Sequence, residues 1–344
     1  MKKHSLLLSL VLSSMVIFTG CSATKAGADL EKAEKEVFSM DTYMTLTAYG
    51  ENAQTAVDLA EERIDKINAL LSTGIESSEV YLINKNNGGV LTEDASYLLG
   101  RSLQLNEMTD GLYDITIYPL MELWGFTDKN FRVPSDEEIN ALLPLVNSKN
   151  ILYDTETSEL FFDKEGMKID FGAIAKGYTS SEIMRIYEEQ NVECGIVNLG
   201  GNVQTYGHKP DGSEWKIGIQ NPDKEKDFLG VLETSDKAVI SSGDYERFFM
   251  EDGVRYHHIL DPRTGKPADS GLRAVTIVCD DGTLADGLST SLFIMGKEKA
   301  VEFWRQHADE FDMILFTKDE ELFISEGLKK TFHSDLYDIE IIHK

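Results

Sequence analysis

Asp170-Phe171-Gly172-Ala173-Ile174-Ala175-Lys176-Gly177-Tyr178 reads as the end of a strand, a turn of small residues and the start of a helix. The helix continues over Tyr178–Gln190, because Ile183, Ile186 and Tyr187 fall on one face at helical spacing. A short strand, Ile196–Leu199, follows and stops at Gly200-Gly201. Strand-like pieces then come often: Lys216–Gln220, Ala238–Ser242, Tyr256–Leu260 and Arg273–Cys279. Asp286–Met295 and Glu298–His307 have the helical period, and Met313–Thr317 and Leu322–Ser325 are late strands.

The N-terminal side repeats this mixture. Met44, Leu46 and Ala48 alternate with Tyr43, Thr45 and Thr47, which predicts a half-buried strand within Met40–Tyr49. Val57, Ala60, Ile64, Ile67 and Leu71 predict an amphipathic helix over Gln54–Leu71. A second helix is expected over Asp94–Met108, and a hairpin over Asn150–Phe162 with its turn near Asp154–Ser158. Segregated and alternating elements together imply an α+β fold with a largely antiparallel sheet.

The chain has 344 residues and 42% apolar residues, enough for a large core in one domain or two fused lobes. Its formal charge is −27. Met1–Gly20 holds two lysines and no acid, so the remainder carries −29. Such a chain repels nucleic acid and anionic lipid, and nucleic acid is not an expected partner. The cysteines are Cys21, Cys194 and Cys279, which gives no disulfide framework. Cys194 and Cys279 adjoin apolar strand-like runs and read as core residues.

The first residues read as an address. Lys2 and Lys3 precede an apolar run from Leu6 to Phe18, shorter than the ~20 residues that span a bilayer. Phe18-Thr19-Gly20-Cys21 is similar to a bacterial lipobox, in which the cysteine is acylated and becomes the mature N-terminus; Phe18 departs from the usual aliphatic residue. The expectation is a signal peptide over 1–20, a lipidated tether over 21–35 anchored by Cys21, and a folded domain over 36–344. The protein would then sit on the outer, extracellular or periplasmic side of the cell membrane.

Four constellations can carry chemistry. The Asp170–Tyr178 turn exposes amides at a helix start and adds the cation of Lys176, a combination that can hold phosphate or simply close a tight turn. On a helix, Asp286, Ser289 and Thr290 share one face as hard oxygen donors suited to Mg²⁺; Asp286 can equally be a helix cap. His257-His258 precedes the turn Asp261-Pro262-Arg263-Thr264-Gly265, and the two imidazoles point to opposite strand faces. One can act as a base near neutral pH, or both can be structural. The aromatics of Leu112-Tyr113-Asp114 and Leu123-Trp124-Gly125-Phe126 can stack on a planar ring or fill the core.

Taken in order, these pieces resemble the ApbE family of FAD:protein FMN transferases. The matching segments are Phe38–Thr42, Gly111–Ile115, Leu123–Phe126, Asp170–Tyr178, Val197–Asn202, Ile219–Pro222, Ala238–Gly243, His258–Gly265 and Ala285–Thr290. The resemblance implies a T-fold-related body with mostly antiparallel sheet and a smaller α/β part. It implies that Met40, Leu112, Tyr113, Asp114, Asp170, Lys176 and Leu260 touch FAD. It places Mg²⁺ among Asp286, Ser289, Thr290 and the carbonyl of Ala173, and makes His258 the base. FAD is then a substrate, cleaved so that FMN joins a Thr or Ser of a client flavoprotein and AMP leaves. Where many members place an aromatic after Ser72-Thr73, this chain has Gly74, so that wall of the pocket is built differently. The rival readings are an FAD pyrophosphatase, in which water replaces the client, and a non-catalytic flavin-binding lipoprotein, which has no use for the metal face.

Overall fold

The computed structural model describes residues 30–344. The signal peptide reading and Cys21 lie outside the described residues. The chain opens with a hairpin of β1 (Lys32–Ser39) and β2 (Thr42–Tyr49), so Lys32–Lys35, read from sequence as the end of a tether, are strand. The cause is visible in the pattern: Ala33 and Val37 are buried beneath alternating charged neighbours, which a pleated strand requires. Helices α1 (Ala53–Leu71), α2 (Glu79–Asn86) and α3 (Glu93–Met108) follow, with β3 (Gly88–Val90) between the last two. Val57, Ile64, Ile67 and Leu71 of α1 are buried as their spacing predicts, each contributing roughly 1.5–3 kcal/mol.

Next come α4 (Tyr118–Trp124), α5 (Asp136–Leu142), and the predicted hairpin, β4 (Ile151–Asp154) and β5 (Glu159–Phe162). Ser135 and Glu138 form a reciprocal capping box on α5. Then α6 (Ala175–Glu189) leads into β6 (Cys194–Leu199), β7 (Asn202–Tyr206), β8 (Trp215–Asn221), β9 (Lys224–Thr234) and β10 (Ala238–Gly243). The predicted strand Tyr256–Leu260 is instead two pieces. β11 (Phe248–Glu251) pairs with β12 (Val254–His257), the chain bends at His258, and β13 (Leu260–Asp261) pairs with β14 (Lys266–Pro267). The chain ends with β15 (Leu272–Cys279), α7 (Gly282–Met295), α8 (Lys297–His307), β16 (Asp312–Thr317), β17 (Leu322–Ser325), β18 (Phe332–His333) and β19 (Ile339–Ile342). Among the described residues no helix is long and apolar enough to cross a membrane.

Nine strands form the main sheet, in the order β1-β2-β6-β7-β10-β15-β16-β17-β19, and all its pairings except β17 with β19 are antiparallel. Alternation sorts its side chains into two cores. Ile240, Ile277, Met313 and Leu315 face the helical layer, whereas Val239, Val278, Ile314 and Phe316 face Ile217, Ile219 and Leu232 of the small sheet β18-β9-β8. Cys194 and Cys279 are buried free thiols within strands, and burial pushes the Cys279 thiol up to about 12, so it packs as a small apolar residue.

The helical layer is tightest where α6 crosses α7. A Cβ placed on Gly177 would lie 2.0 Å from the carbonyl oxygen of Gly282 and 2.6 Å from the Cβ of Asp286; one on Gly282 would lie 2.6 Å from the carbonyl oxygen of Gly177. Only glycine at both positions permits this backbone contact. Gly177→Ala should therefore cost about 1–3 kcal/mol through overpacking, seen as a lower thermal unfolding midpoint. An unchanged midpoint would show that the two helices can separate without loss.

Candidate functional site

The Asp170–Tyr178 segment forms the predicted turn and helix start. The Phe171 carbonyl accepts from the amides of Ile174 and Ala175 at 2.9 and 2.8 Å, and the Ile174 carbonyl accepts from Tyr178 at 3.0 Å. Between them the regular pattern is broken. The Gly177 amide, which would reach back to Ala173, donates instead to the Asp286 carboxylate at 2.8 Å. Among the described residues the Ala173 carbonyl consequently has no hydrogen-bond partner. Asp170 accepts from the Gly172 amide at 2.9 Å, and burial raises its pKa despite the nearby cations of Arg247 and Lys176.

Asp286 lies one turn inside α7. The helix cap is Asp281, whose carboxylate accepts from the amides of Thr283 and Leu284, so the capping reading of Asp286 does not hold. Asp286 is 4% exposed, and Gly177 uses one of its oxygens; the other has no donor among the described residues. Thr290 lies one turn further along and faces the same cavity. Ser289 does not. It is fully buried, donates to the Asp286 carbonyl at 2.8 Å and shares a 2.7 Å hydrogen bond with Ser242. At i+3 its hydroxyl rotates past the face that Asp286 and Thr290 share, and Ser242 of β10, 3.3 Å from the Thr290 hydroxyl, takes its place in the wall.

The hairpin β11–β12 is bracketed by Arg247 and His258. Both the amide and Nδ1 of His258 approach the Arg247 carbonyl, at 3.0 and 3.2 Å. A carbonyl only accepts, so Nδ1 carries the hydrogen and Nε2 keeps its lone pair. Burial, with the charge of Arg247 second, holds the pKa of His258 well below the ordinary value. His257 faces the other way, buried edge-on to Phe293 and outside the cavity wall. Leu260 packs with Trp124, whose Nε1 donates to the Gly265 carbonyl at 2.8 Å and fixes the Asp261–Gly265 turn. Trp124 is therefore core, while Phe126 reaches the cavity.

Two further segments complete the wall. Met40 and Asp41 form the tip of the β1–β2 hairpin, both with positive φ (50° and 58°), a two-residue turn whose twist matches the strands but which usually favours Asn and Gly. Leu112 and Tyr113 are buried in the wall, and among the described residues the Tyr113 hydroxyl has no hydrogen-bond partner. The Asp114 carboxylate is saturated by Thr116, Ser148 and Asn106, so it fixes this loop instead of offering free oxygens. Gly74 lies beside Ser72, Thr73 and Ile75 of the wall, with no atom nearer than 3.9 Å to a Cβ built there.

The residues that the resemblance assigns to FAD, Mg²⁺ and the base, Ser289 excepted, line one cavity of 1210 Å³, whereas His257 and Trp124 do not. Sequence reasoning missed Ser242, Glu246 and Arg247, which line it too. The guanidinium of Arg247 and the ammonium of Lys176 have no carboxylate partner among the described residues, in a chain with 60 acids. Two unpaired cations facing one space, beside a carboxylate, a hydroxyl and a free carbonyl, suit a phosphate-bearing ligand with a divalent cation. Burial raises the pKa of Glu246, opposed by the same two cations.

Fold and site thus define an α+β protein with a deep cleft for a large anionic ligand that also has an apolar part. The ApbE family model matches residues 40–315, and the chain belongs to the ApbE family. It is 34% identical over 273 residues to an FAD:protein FMN transferase of Klebsiella pneumoniae, covering 78% of this chain and 84% of that one. It superposes on the crystal structure of the ApbE protein of Thermotoga maritima with a TM-score of 0.82 at 36% identity, covering 88% of this chain and 99% of that one. For the flavin transferase ApbE of Vibrio cholerae the TM-score is 0.79 at 26% identity, with 88% and 99% covered.

Proposed function

We infer that this chain is an FAD:protein FMN transferase that requires Mg²⁺ and attaches FMN to a threonine or serine of a client flavoprotein. The transferase activity is that of its relatives over most of the chain. The observation that carries the metal reading is the diverted Gly177 amide. It leaves the Ala173 carbonyl open beside one free Asp286 oxygen and the Thr290 hydroxyl, all hard oxygen donors. Those three groups would hold Mg²⁺, which would supply positive charge to offset the negative charge building up on the phosphates of FAD.

The chain's own residues do the rest. Lys176 and Arg247 supply positive charge for the pyrophosphate in a cavity that is otherwise acidic. Met40, Leu112, Tyr113 and Leu260 present apolar surface to the flavin ring. The acceptor hydroxyl is too weak an acid to ionise alone, and Nε2 of His258 takes its proton. The acceptor oxygen then bonds to the phosphorus of the FMN half, and AMP departs with the bridging oxygen. Clients and enzyme would meet at the outer face of the membrane, where two acyl chains on Cys21 anchor the enzyme. Among the described residues nothing favours water over a client hydroxyl, or binding without catalysis.

Mass spectrometry of candidate clients after incubation with FAD and Mg²⁺ should show one added FMN on a Thr or Ser. Asp286→Ala should abolish it, and labelling by that variant in a chelator would refute the metal face. His258→Ala should slow transfer on the order of 10²–10⁴-fold with FAD still bound. Because the folded pKa of His258 is depressed, the base stays neutral to lower pH, and the acid limb of kcat/KM should lie below pH 6.5. A limb above that value would assign the proton to another group. Cys21→Ala should move the protein from the membrane to a soluble fraction; retention on the membrane would exclude the lipid anchor.

A further inference from the structure

The small sheet β18-β9-β8 ends at β8, and Ile217, Gly218, Ile219 and Gln220 are consecutive residues of β8 in the cavity wall. Side chains alternate across a strand, so four residues in a row reach one space only when the strand's edge faces it. Ladder geometry tells which backbone groups point that way. The Glu233 amide donates to Thr331 at 2.8 Å, so Glu233 and Val231 turn toward β18, and Leu232 turns toward its register partner Ile217. Lys216 and Gly218, opposite Glu233 and Val231, therefore aim N–H and C=O away from β9, and the regular ladder ends at a bulge beyond Ile219.

Among the described residues no hydrogen bond reaches these outward groups. An open edge is normally blunted by charge, proline or a covering segment. The other nearby edge, β1, carries Lys32, Glu34, Lys35 and Glu36. On β8 the outward-facing positions are Lys216, outside the cavity wall, and Gly218, which carries no side chain to block the edge. The ring of Phe228 lies across Gly218, is 53% exposed and belongs to the same wall, so the edge is flanked by an accessible apolar surface.

We propose that the client docks by adding an extended segment to the free edge of β8, which brings its acceptor side chain into the cavity opposite Gly218. The proposal rests on the transferase reading, since a client hydroxyl must reach the same cavity that holds FAD. Main-chain pairing suits such docking because it aligns a segment with little demand on its sequence, and period-two alternation sends every second side chain toward the cavity. A folded surface or a helix would have to bring its hydroxyl past the rim, whereas a strand on β8 runs along it.

The probe is the client protein found to accept FMN in the labelling experiment above, mixed with full enzyme, Mg²⁺ and AMP. Hydrogen exchange at the amides of Lys216 and Gly218 should slow on adding client. Lys216→Pro deletes an outward N–H without touching the β8–β9 ladder, and Lys216→Ala keeps it. The proline variant should lose about tenfold in kcat/KM for the client, in line with one lost hydrogen bond plus the wedge of the ring, and the alanine variant should not. AMP release from FAD without client should be unchanged in both. Equal client kinetics for the two variants, or protection of these amides by FAD alone or by concentrated enzyme alone, would overturn the proposal. Should Lys216→Pro not fold, the exchange measurement on the wild type decides. Failure of the wild type to label any protein from FAD would instead count against the transferase reading.

Discussion

The contact between Gly177 and Gly282 sets the geometry of the whole site. Two helices meet there backbone to backbone, closer than any side chain would allow. That approach puts the Gly177 amide within 2.8 Å of Asp286, and the helix start gives up its usual bond to Ala173. A packing constraint thus exposes one carbonyl and orients one carboxylate in a single step. The carboxylate is buried, so its amide bond also offsets part of its desolvation. Among the described residues no three His, Cys, Asp or Glu side chains gather as a metal group, and the proposed site of one carboxylate, one hydroxyl and one carbonyl would leave the remaining positions to water and substrate.

Charge is arranged to the same end. The chain carries −27, and many of the bases among its described residues form ion pairs, of small energetic value where they are exposed. Lys176 and Arg247 are left without such partners where the cavity needs them. The acids that share the space are handled separately. Asp114 is saturated by internal donors, Asp286 is bound to an amide, and burial raises the pKa of Asp170 and Glu246. Two cations without carboxylate partners among the described residues thus face a space whose acids are hydrogen-bonded or buried, and they are the groups there that can attract an anionic ligand.

Periodicity made the frame legible. The spacing of Val57 to Leu71 marked α1, and the alternation around Met44 marked β2, because both are amphipathic and packing reinforces propensity. Met40 and Asp41, read with the strand, form the hairpin tip instead. Short or charged elements escaped: α2 is eight residues long, β1 is masked by lysines and glutamates, and β9 falls in a stretch without clean alternation. In the site, ordered motifs gave most of the wall. Helical spacing could not separate Ser289 from Thr290, since i+3 and i+4 both lie near the Asp286 face and only the neighbouring Ser242 decides between them. Arg247 had no pattern to announce it. Its importance lies in what it lacks, an acidic partner, and that is a property of three-dimensional neighbours.

The two adjacent histidines show how a bend distributes roles that sequence leaves open. A continuous strand over Tyr256–Leu260 would give His257 and His258 equivalent surroundings on opposite faces. The chain instead leaves β12 at His257 and turns at His258, where two hydrogen bonds to the Arg247 carbonyl close the neck of the hairpin. One of these bonds fixes the tautomer. The same residue that anchors the imidazole also carries the guanidinium whose charge helps keep that imidazole neutral. His257, by contrast, packs on Phe293 and approaches the Ala268 carbonyl through Nε2 at 3.1 Å, and it lies outside the cavity wall. His258 and Arg247 are thus held by one hairpin neck, while the Asp286 carboxylate and the open Ala173 carbonyl, the oxygens proposed for the metal, are held by one helix crossing. The cavity is the space between these two rigid joints.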